Sequence, residues 1–248
     1  QLVGSYQKSY GESYNKDFKD DYFRYGHIGT FNTYKRPTYA LTKMDIDGDG
    51  YEEYVYQQNG WLDYRVDFTP SDDNPGLAAY TSQLYNDEMF ADYRSSLINY
   101  TNIRSMYGLV NGDITGSIYG LYSNVGVPVT GYSKSESQQI YATATLSATI
   151  GRHILELGFQ YDQAIYRSYS LAAGGLWTLM KQEANQHILY QDLDNPIIDY
   201  SGAYPVVSYD RKYDESSQTY FDKSIRQKLY GNITGTEYID IDSYDPST

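Results

Sequence analysis

The fold turns on "QQIYATATLSATI", residues 138–150, and on its continuation through Gly151-Arg152 into "HILELGFQYDQAIY", residues 153–166. In the first run Ile140, Ala142, Ala144, Leu146, Ala148 and Ile150 take every second position. Tyr141, Thr143, Thr145, Ser147 and Thr149 lie between them. Such alternation marks a strand with one apolar and one polar face. After the Gly-Arg break it resumes, with Leu155, Leu157, Phe159, Tyr161 and Ile165 on one face and Glu156, Gln160 and Asp162 on the other. Two alternating runs joined by a tight turn predict a β-hairpin. Strands of soluble proteins average about five to six residues, whereas a membrane-barrel strand needs about nine to eleven. The length of these runs points to barrel strands.

Composition narrows the classes. The chain has 248 residues, a net charge of −13, no cysteine and 32 tyrosines. Its 17% aromatic content argues against disorder. A strongly acidic chain repels nucleic-acid phosphates, and Lys and Arg gather into no patch, so nucleic acid is set aside as a partner. The lack of cysteine excludes a disulfide framework and thiolate metal sites. No window approaches the ~18 apolar residues of a spanning helix. The chain begins at Gln1 without a signal peptide, as a mature product or an excised piece would. What remains is an all-β protein, either soluble or part of an outer-membrane barrel, whose strands carry weaker hydrophobic signals than spanning helices.

Elsewhere, "YFRYGHIGTFNTYK" predicts a third long strand over 22–35, and "WLDYRVDF" (61–68) a shorter one in an extra-membrane hairpin. "TPSDDNPG", "NGD" and "GVPVTG" are turn-formers, and "YNDEMFADYRSSLINY" holds room for a short helix. "GGLWTLMKQEANQHILY" places Leu176, Leu179, Met180, Ala184 and Ile188 at helical spacing, with Trp177 as a core residue. "FDKSIRQKLYG" predicts a second helix stopped by Gly231. Short links at 12–20 and 151–152 alternate with long polar stretches at 36–137 and 167–248, the asymmetry of barrels with short periplasmic turns and long outer loops.

Several phrases carry a family resemblance. "GLVNGDITGSIYGLYSNVGVP", "DFTPSDDNPGLAAYTSQLYND" and "GLWTLMKQEANQHILYQDLDNP" resemble the barrel region of TonB-dependent outer-membrane receptors of Bacteroidetes-type bacteria, and "FRYGHIGTFNTYK" and the hairpin at 138–166 fall in the same order as in that family. The resemblance implies a transmembrane antiparallel β-barrel with long extracellular loops carrying short helices, of which this chain is an internal fragment without the plug domain or TonB box. It implies that 22–35 climbs outward, 36–137 is an external loop, 138–150 descends, Gly151-Arg152 faces the periplasm, 153–168 climbs and 169–248 is external. It implies outer-membrane lipid, the remaining barrel strands and plug, the TonB complex and a surface lipoprotein as partners. The activity implied is import of a scarce solute such as a siderophore, cobalamin, a glycan or a peptide.

One motif points to a ligand. "DIDGDGYEE", residues 45–53, reads D-x-D-x-D-G-x-x-E. Calcium wants six to eight oxygen ligands, and alternating acids around a glycine supply them from one turn. Asp45, Asp47 and Asp49 would give carboxylates, Tyr51 its carbonyl, and Glu53 would close the site. Tyr56 stands where an EF-hand needs Glu, so the loop is similar to shorter extracellular calcium loops. The expected role is structural. The alternative is an acidic turn without an ion, in which three carboxylates repel each other.

His27, His153 and His187 are too scattered for a metal site. No nucleophile elbow, phosphate loop or isolable carboxylate pair marks an enzyme. Trp61, Tyr64, Tyr107 and Tyr119 fall in the external stretch as candidates for stacking on a solute, or as loop-packing residues. The competing reading is a soluble, calcium-stabilised extracellular β-domain that binds glycans, which requires the apolar faces of 140–150 and 155–165 to be covered by another sheet. A glycan-cleaving enzyme would need two facing carboxylates in a cleft.

Overall fold

A computed structural model describes residues 1–113, 115 and 129–246. Strands make up 40% of it and helices 25%, the sheets being chiefly antiparallel. The described strands are β1 (Leu2–Ser13), β2 (Gly29–Met44), β3 (Glu53–Pro70), β4 (Tyr132–Ile150), β5 (His153–Leu171), β6 (Ile197–Asp199) and β7 (Val206–Ser208). The α-helices are α1 (Pro75–Asn86), α2 (Tyr100–Ser105), α3 (Gly175–Glu183) and α4 (Tyr220–Tyr230). The chain divides into two compact units, Gln1–Tyr25 with Ser117–Ala173, and Gly26–Gly116 with Gly174–Thr248. Neither sheet closes into a barrel.

The first unit is a three-stranded antiparallel sheet in the order β1-β4-β5. The expected hairpin is present and longer than the apolar run, β4 being extended by Tyr132–Ser137 and β5 by Arg167–Leu171. Leu146 pairs with Leu157 and Ile150 with His153 around the Gly151 turn, where φ is +64°. The third strand of this sheet is β1, not 22–35. Leu2 pairs with Ala144 and Ser13 with Ser133, so the link after Ser13 lies at the opposite end of the sheet from Gly151-Arg152, where a periplasmic turn would not be. Tyr132 is buried there by edge-on contact with Tyr22 and Tyr169.

The sequence 22–35 is not one strand. Tyr22–Arg24 forms a 3-10 turn. Gly26 adopts φ +73°, and His27 and Ile28 are buried, so the strand starts only at Gly29 and runs on to Met44. It pairs with β3 in a second sheet of order β2-β3-β7-β6, in which β3 and β7 are parallel. The stretches expected as external loops, 36–137 and 169–248, thus hold most of this hairpin and the four α-helices of the described residues. Helix α1 begins at "NPG", a signature that reads as a turn but also suits a start: Pro75 sits in the first turn, where no N–H is needed. Its Leu77, Ala78 and Leu84 bury against Phe31, Val66 and Ile103, and the buried Thr81 hydrogen-bonds to the Leu109 backbone. Helix α4 forms where expected and Gly231 ends it with φ +68°, whereas α3 begins where expected and buries Trp177 but stops at Glu183, because the chain turns extended at Ala184 and left-handed at Asn185 (φ +64°), leaving Ala184 and Ile188 beyond it.

A polar knot holds the second unit together. Asp222 is fully buried and accepts hydrogen bonds from the Asn185 N–H (2.9 Å), Gln218 (2.9 Å) and Arg226 Nε (2.9 Å). Arg226 reaches on to the carbonyl of Glu237 (2.8 Å), and Asn185 takes the Ile239 N–H (2.8 Å), so α4 and the irregular run 237–239 are tied to the turn after α3. Burial opposes the Asp222 charge, yet these donors outweigh it and hold its carboxyl below the usual range. A depressed folded pKa adds stability above the unfolded value and loses it as pH falls. Unfolding titrations should therefore show stability dropping on acidification below about pH 4. In Asp222→Asn that slope should flatten, with lower stability at neutral pH because Arg226 loses its counter-charge.

Candidate functional site

The pleat and the register sort the first sheet into two faces, because directly paired residues share a face. One face carries, from the turn upward, Leu155 with Ala148, Leu157 with Leu146, and Phe159 with Ala144 and Leu2. Tyr161 with Ala142, and Ile140 with Tyr6, continue it. All of these large side chains are open to the surroundings: Leu146 is 66% exposed, Leu157 69% and Phe159 64%. Above this apolar band the same face turns charged. Lys8 pairs with Glu136 (2.9 Å), Arg167 approaches Glu136 (3.9 Å), and Lys134 approaches Glu12 (3.6 Å). Tyr10 and Tyr169 stand in the same rows. The opposite face is mainly Ser, Thr, Gln and acids, with Val3, Tyr141, Ile154 and Tyr166 among them, and Gln139 donates to Asp162 across the strands (3.1 Å). A contiguous exposed apolar patch of this extent marks a surface that meets lipid or a partner.

The alternation in the sequence announces the contribution of β4 and β5 to this face but not that of β1. Leu2, Gly4 and Tyr6 do alternate, but Gly4 and Lys8 dilute the signal.

The acidic loop joins β2 to β3 at a hairpin tip. Asp45, Asp47 and Asp49 are exposed, and a carboxylate oxygen of each lies within 4.8 Å of the others. Backbone amides orient them. Asp45 accepts from the N–H groups of Gly48 (2.7 Å) and Gly50 (3.0 Å), Asp47 from Asp49 (3.1 Å) and Asp49 from Tyr51 (2.8 Å). Gly48 and Gly50 have φ of +79° and +90°, the left-handed region that glycine enters freely. The ring of Tyr51 points outward, 76% exposed. Glu53 opens β3 opposite Met44 and stands apart from the three aspartates, with one carboxylate oxygen buried and taking no hydrogen bond. The three converged carboxylates suit a hard cation, but the orphaned Glu53 oxygen is not among them.

The candidate stacking residues are not brought together. Trp61 and Tyr64 both lie on β3, each half-exposed, and protein cations already cover them: Arg211 sits 5.0 Å from the Trp61 ring and Arg36 6.0 Å from Tyr64. Tyr107, at φ +64°, is an 84% exposed residue in the turn after α2. Tyr119 lies outside the described residues. The histidines are dispersed. His27 is buried with Nδ1 2.7 Å from Asp73 and its ring stacked on Trp177. His187 contacts the Gly235 carbonyl (3.1 Å), and His153 opens β5.

Comparison with family models, with curated proteins and with solved structures finds no match to this chain. No described helix is long and apolar enough to cross a membrane, which leaves strands aside.

The loop geometry makes a stability prediction. A Cβ at Gly50 or at Gly76, in the first turn of α1, would meet nothing within 4 Å. Only Gly50 has a left-handed φ. Gly50→Ala should cost roughly 1 kcal/mol, whereas Gly76→Ala should be neutral or stabilise by up to about 1 kcal/mol. Denaturant melts of both variants against the parent check the difference.

Proposed function

We propose that this chain is part of a TonB-dependent outer-membrane transporter, in which the β1-β4-β5 sheet is a section of the barrel wall and the second unit is extracellular. The observation that carries the reading is the uncovered apolar band on one face of the sheet. Its strands are long enough. From Ile140 to Ile150 the chain rises about 33 Å, which at a barrel tilt near 45° spans roughly 23 Å, close to the ~25 Å apolar belt of outer-membrane barrels. Tyr6, Tyr10, Tyr161 and Tyr169 lie at and above the upper edge of the band, where aromatic girdles sit. The polar face would line the lumen. The segments after β1 and β5 both leave from the end of the sheet opposite the tight Gly151-Arg152 turn, in keeping with short inner turns and long outer loops. A soluble glycan-binding domain would need a cover over the band, and these side chains are exposed.

In this reading the exposed Tyr107 is a contact for the solute, and Trp61 and Tyr64 could join it only by shedding Arg211 and Arg36 from their rings. Energy coupling belongs to a plug and a TonB-box segment, which the resemblance assigns to the rest of the receptor chain. No catalytic role is proposed. Calcium would be held by Asp45, Asp47 and Asp49 with the Tyr51 carbonyl, Glu53 closing the shell only by swinging in from its place at the start of β3, and would staple the β2–β3 tip by cancelling the repulsion among its carboxylates.

Two measurements test this. The chain lacks cysteine, so single cysteines can be placed at Leu157, on the band, and at Thr145, on the polar face at the same height, and labelled with an environment-sensitive fluorophore. In lipid vesicles the label at 157 should shift to the blue and be quenched by nitroxide-bearing acyl chains, and the label at 145 should not. Equal aqueous quenching of both by iodide would remove the barrel reading. In calorimetry, calcium should bind with a dissociation constant on the order of 0.1–1 mM, and the heat should vanish in Asp47→Asn/Asp49→Asn. Unchanged heat in that variant would place any calcium elsewhere.

A further inference from the structure

Within the second unit, β2 and β3 slip out of register. Tyr34 pairs with Arg65 but Lys35 pairs with Asp63, leaving Tyr64 as the extra residue of a bulge. Bulges re-aim side chains and recur beside functional sites. Here Lys35 and Asp63, joined as an ion pair, line a cavity of about 230 Å³ together with Tyr100, Lys181 and the run Tyr238–Asp242. The volume is below that of drug-sized pockets, which start at about 300 Å³.

The charges in this cavity do not balance. Lys35 is matched by Asp63. Lys181 is matched by the buried Asp242 (3.1 Å), which also accepts from Asn111 (3.0 Å). Asp240 accepts the Thr33 N–H (2.9 Å) and has no ion pair among the described residues. It precedes the 3-10 turn Ile241–Ser243 but gives that turn no side-chain cap, so its carboxylate is committed to the β2 side instead. Two ammonium groups thus face three carboxylates. The aromatic faces are already taken, with Lys35 5.1 Å from the Tyr238 ring and Lys181 5.3 Å from that of Tyr100. A flat aromatic ligand has no free ring to stack on, whereas a ligand with hydrogen-bonding groups meets carboxylates, ammonium groups and tyrosine hydroxyls. Burial, with the neighbouring Asp242 charge adding to it, pushes the Asp240 carboxyl above its ordinary range, as expected of a carboxylate lacking a counter-cation.

We propose that this cavity binds a small polyhydroxylated organic cation, about the size of one hexose, with a primary ammonium group placed on Asp240. The inference rests on the interior of the second unit and goes beyond the transport reading; it holds whether the first sheet faces lipid or not. The probe pair is glucosamine and glucose, which differ by one ammonium in place of one hydroxyl. Both are titrated into the full chain in detergent, with the ring signals of Tyr100 and Tyr238 followed by NMR. Glucosamine should bind at least roughly tenfold more tightly than glucose, the worth of one charge-assisted hydrogen bond, and shift both tyrosines. Asp240→Asn, which keeps an acceptor for the Thr33 N–H, should erase the preference while the emission of buried Trp177 stays unchanged. If that variant does not fold, the selectivity of the parent chain decides alone. Equal affinity for the two sugars, absence of glucosamine binding, or a preference that survives in folded Asp240→Asn would each overturn the proposal.

Discussion

The pairing of Leu146 with Leu157 is the constraint on which the first unit depends. Side chains alternate with a period of two, so this register puts every apolar residue of β4 and β5 on one face. A slip by one residue would mix the band with Thr, Ser and Glu. β1 pairs antiparallel with β4 in a register that adds Leu2 and Tyr6 to the same face. Only β4 is paired along both sides within the sheet; β1 and β5 each keep an unpaired outer edge, and the apolar face is left without a partner. A sheet of this kind gains little from hydrophobic burial in water, which is the physical reason to look for its cover in lipid.

The second unit is held together by a different balance. Its apolar core is divided into clusters around Leu84 and Ile103, around Trp177 and Ile239, and around Val55 and Val207. Between them run buried polar connections, Asp222 with Arg226 and Asn111 with Asp242. A long hairpin with an acidic tip and short helices could not close on hydrophobic contacts alone. Each buried charge here carries donors on several elements, so the knot fixes which segments meet. Asp240 is the exception, and an unpaired carboxylate inside an otherwise matched network is where a ligand contributes most.

Much of this is legible in the chain. The β4–β5 hairpin comes from alternation alone, α3 from spacings of three and four, α4 with its Gly231 stop, and the acidic loop from its aspartates and glycines. Three segments mislead for local reasons. β1 has too few apolar residues to announce itself. Asn74-Pro75-Gly76 reads as a turn although proline is equally at home in the first turn of a helix. Residues 22–35 look continuous because Tyr, Phe and Ile suit strands, yet Gly26 bends the chain and His27 turns inward onto Trp177.

What the sequence determined by itself was the period of the backbone, the polarity of each face and the acidic chemistry of the loop at 45–53, since these depend on neighbours a few residues apart. What the tertiary structure alone decided was which strand completes each sheet and that the apolar face of β4 and β5 is uncovered. It alone also decided that Lys35, Asp63, Lys181, Asp240 and Asp242 share one cavity. Those facts join residues more than two hundred positions apart, as the 2.9 Å bond from Thr33 to Asp240 shows. Partners so distant are chosen by shape and charge once the chain has closed, and no local pattern carries them.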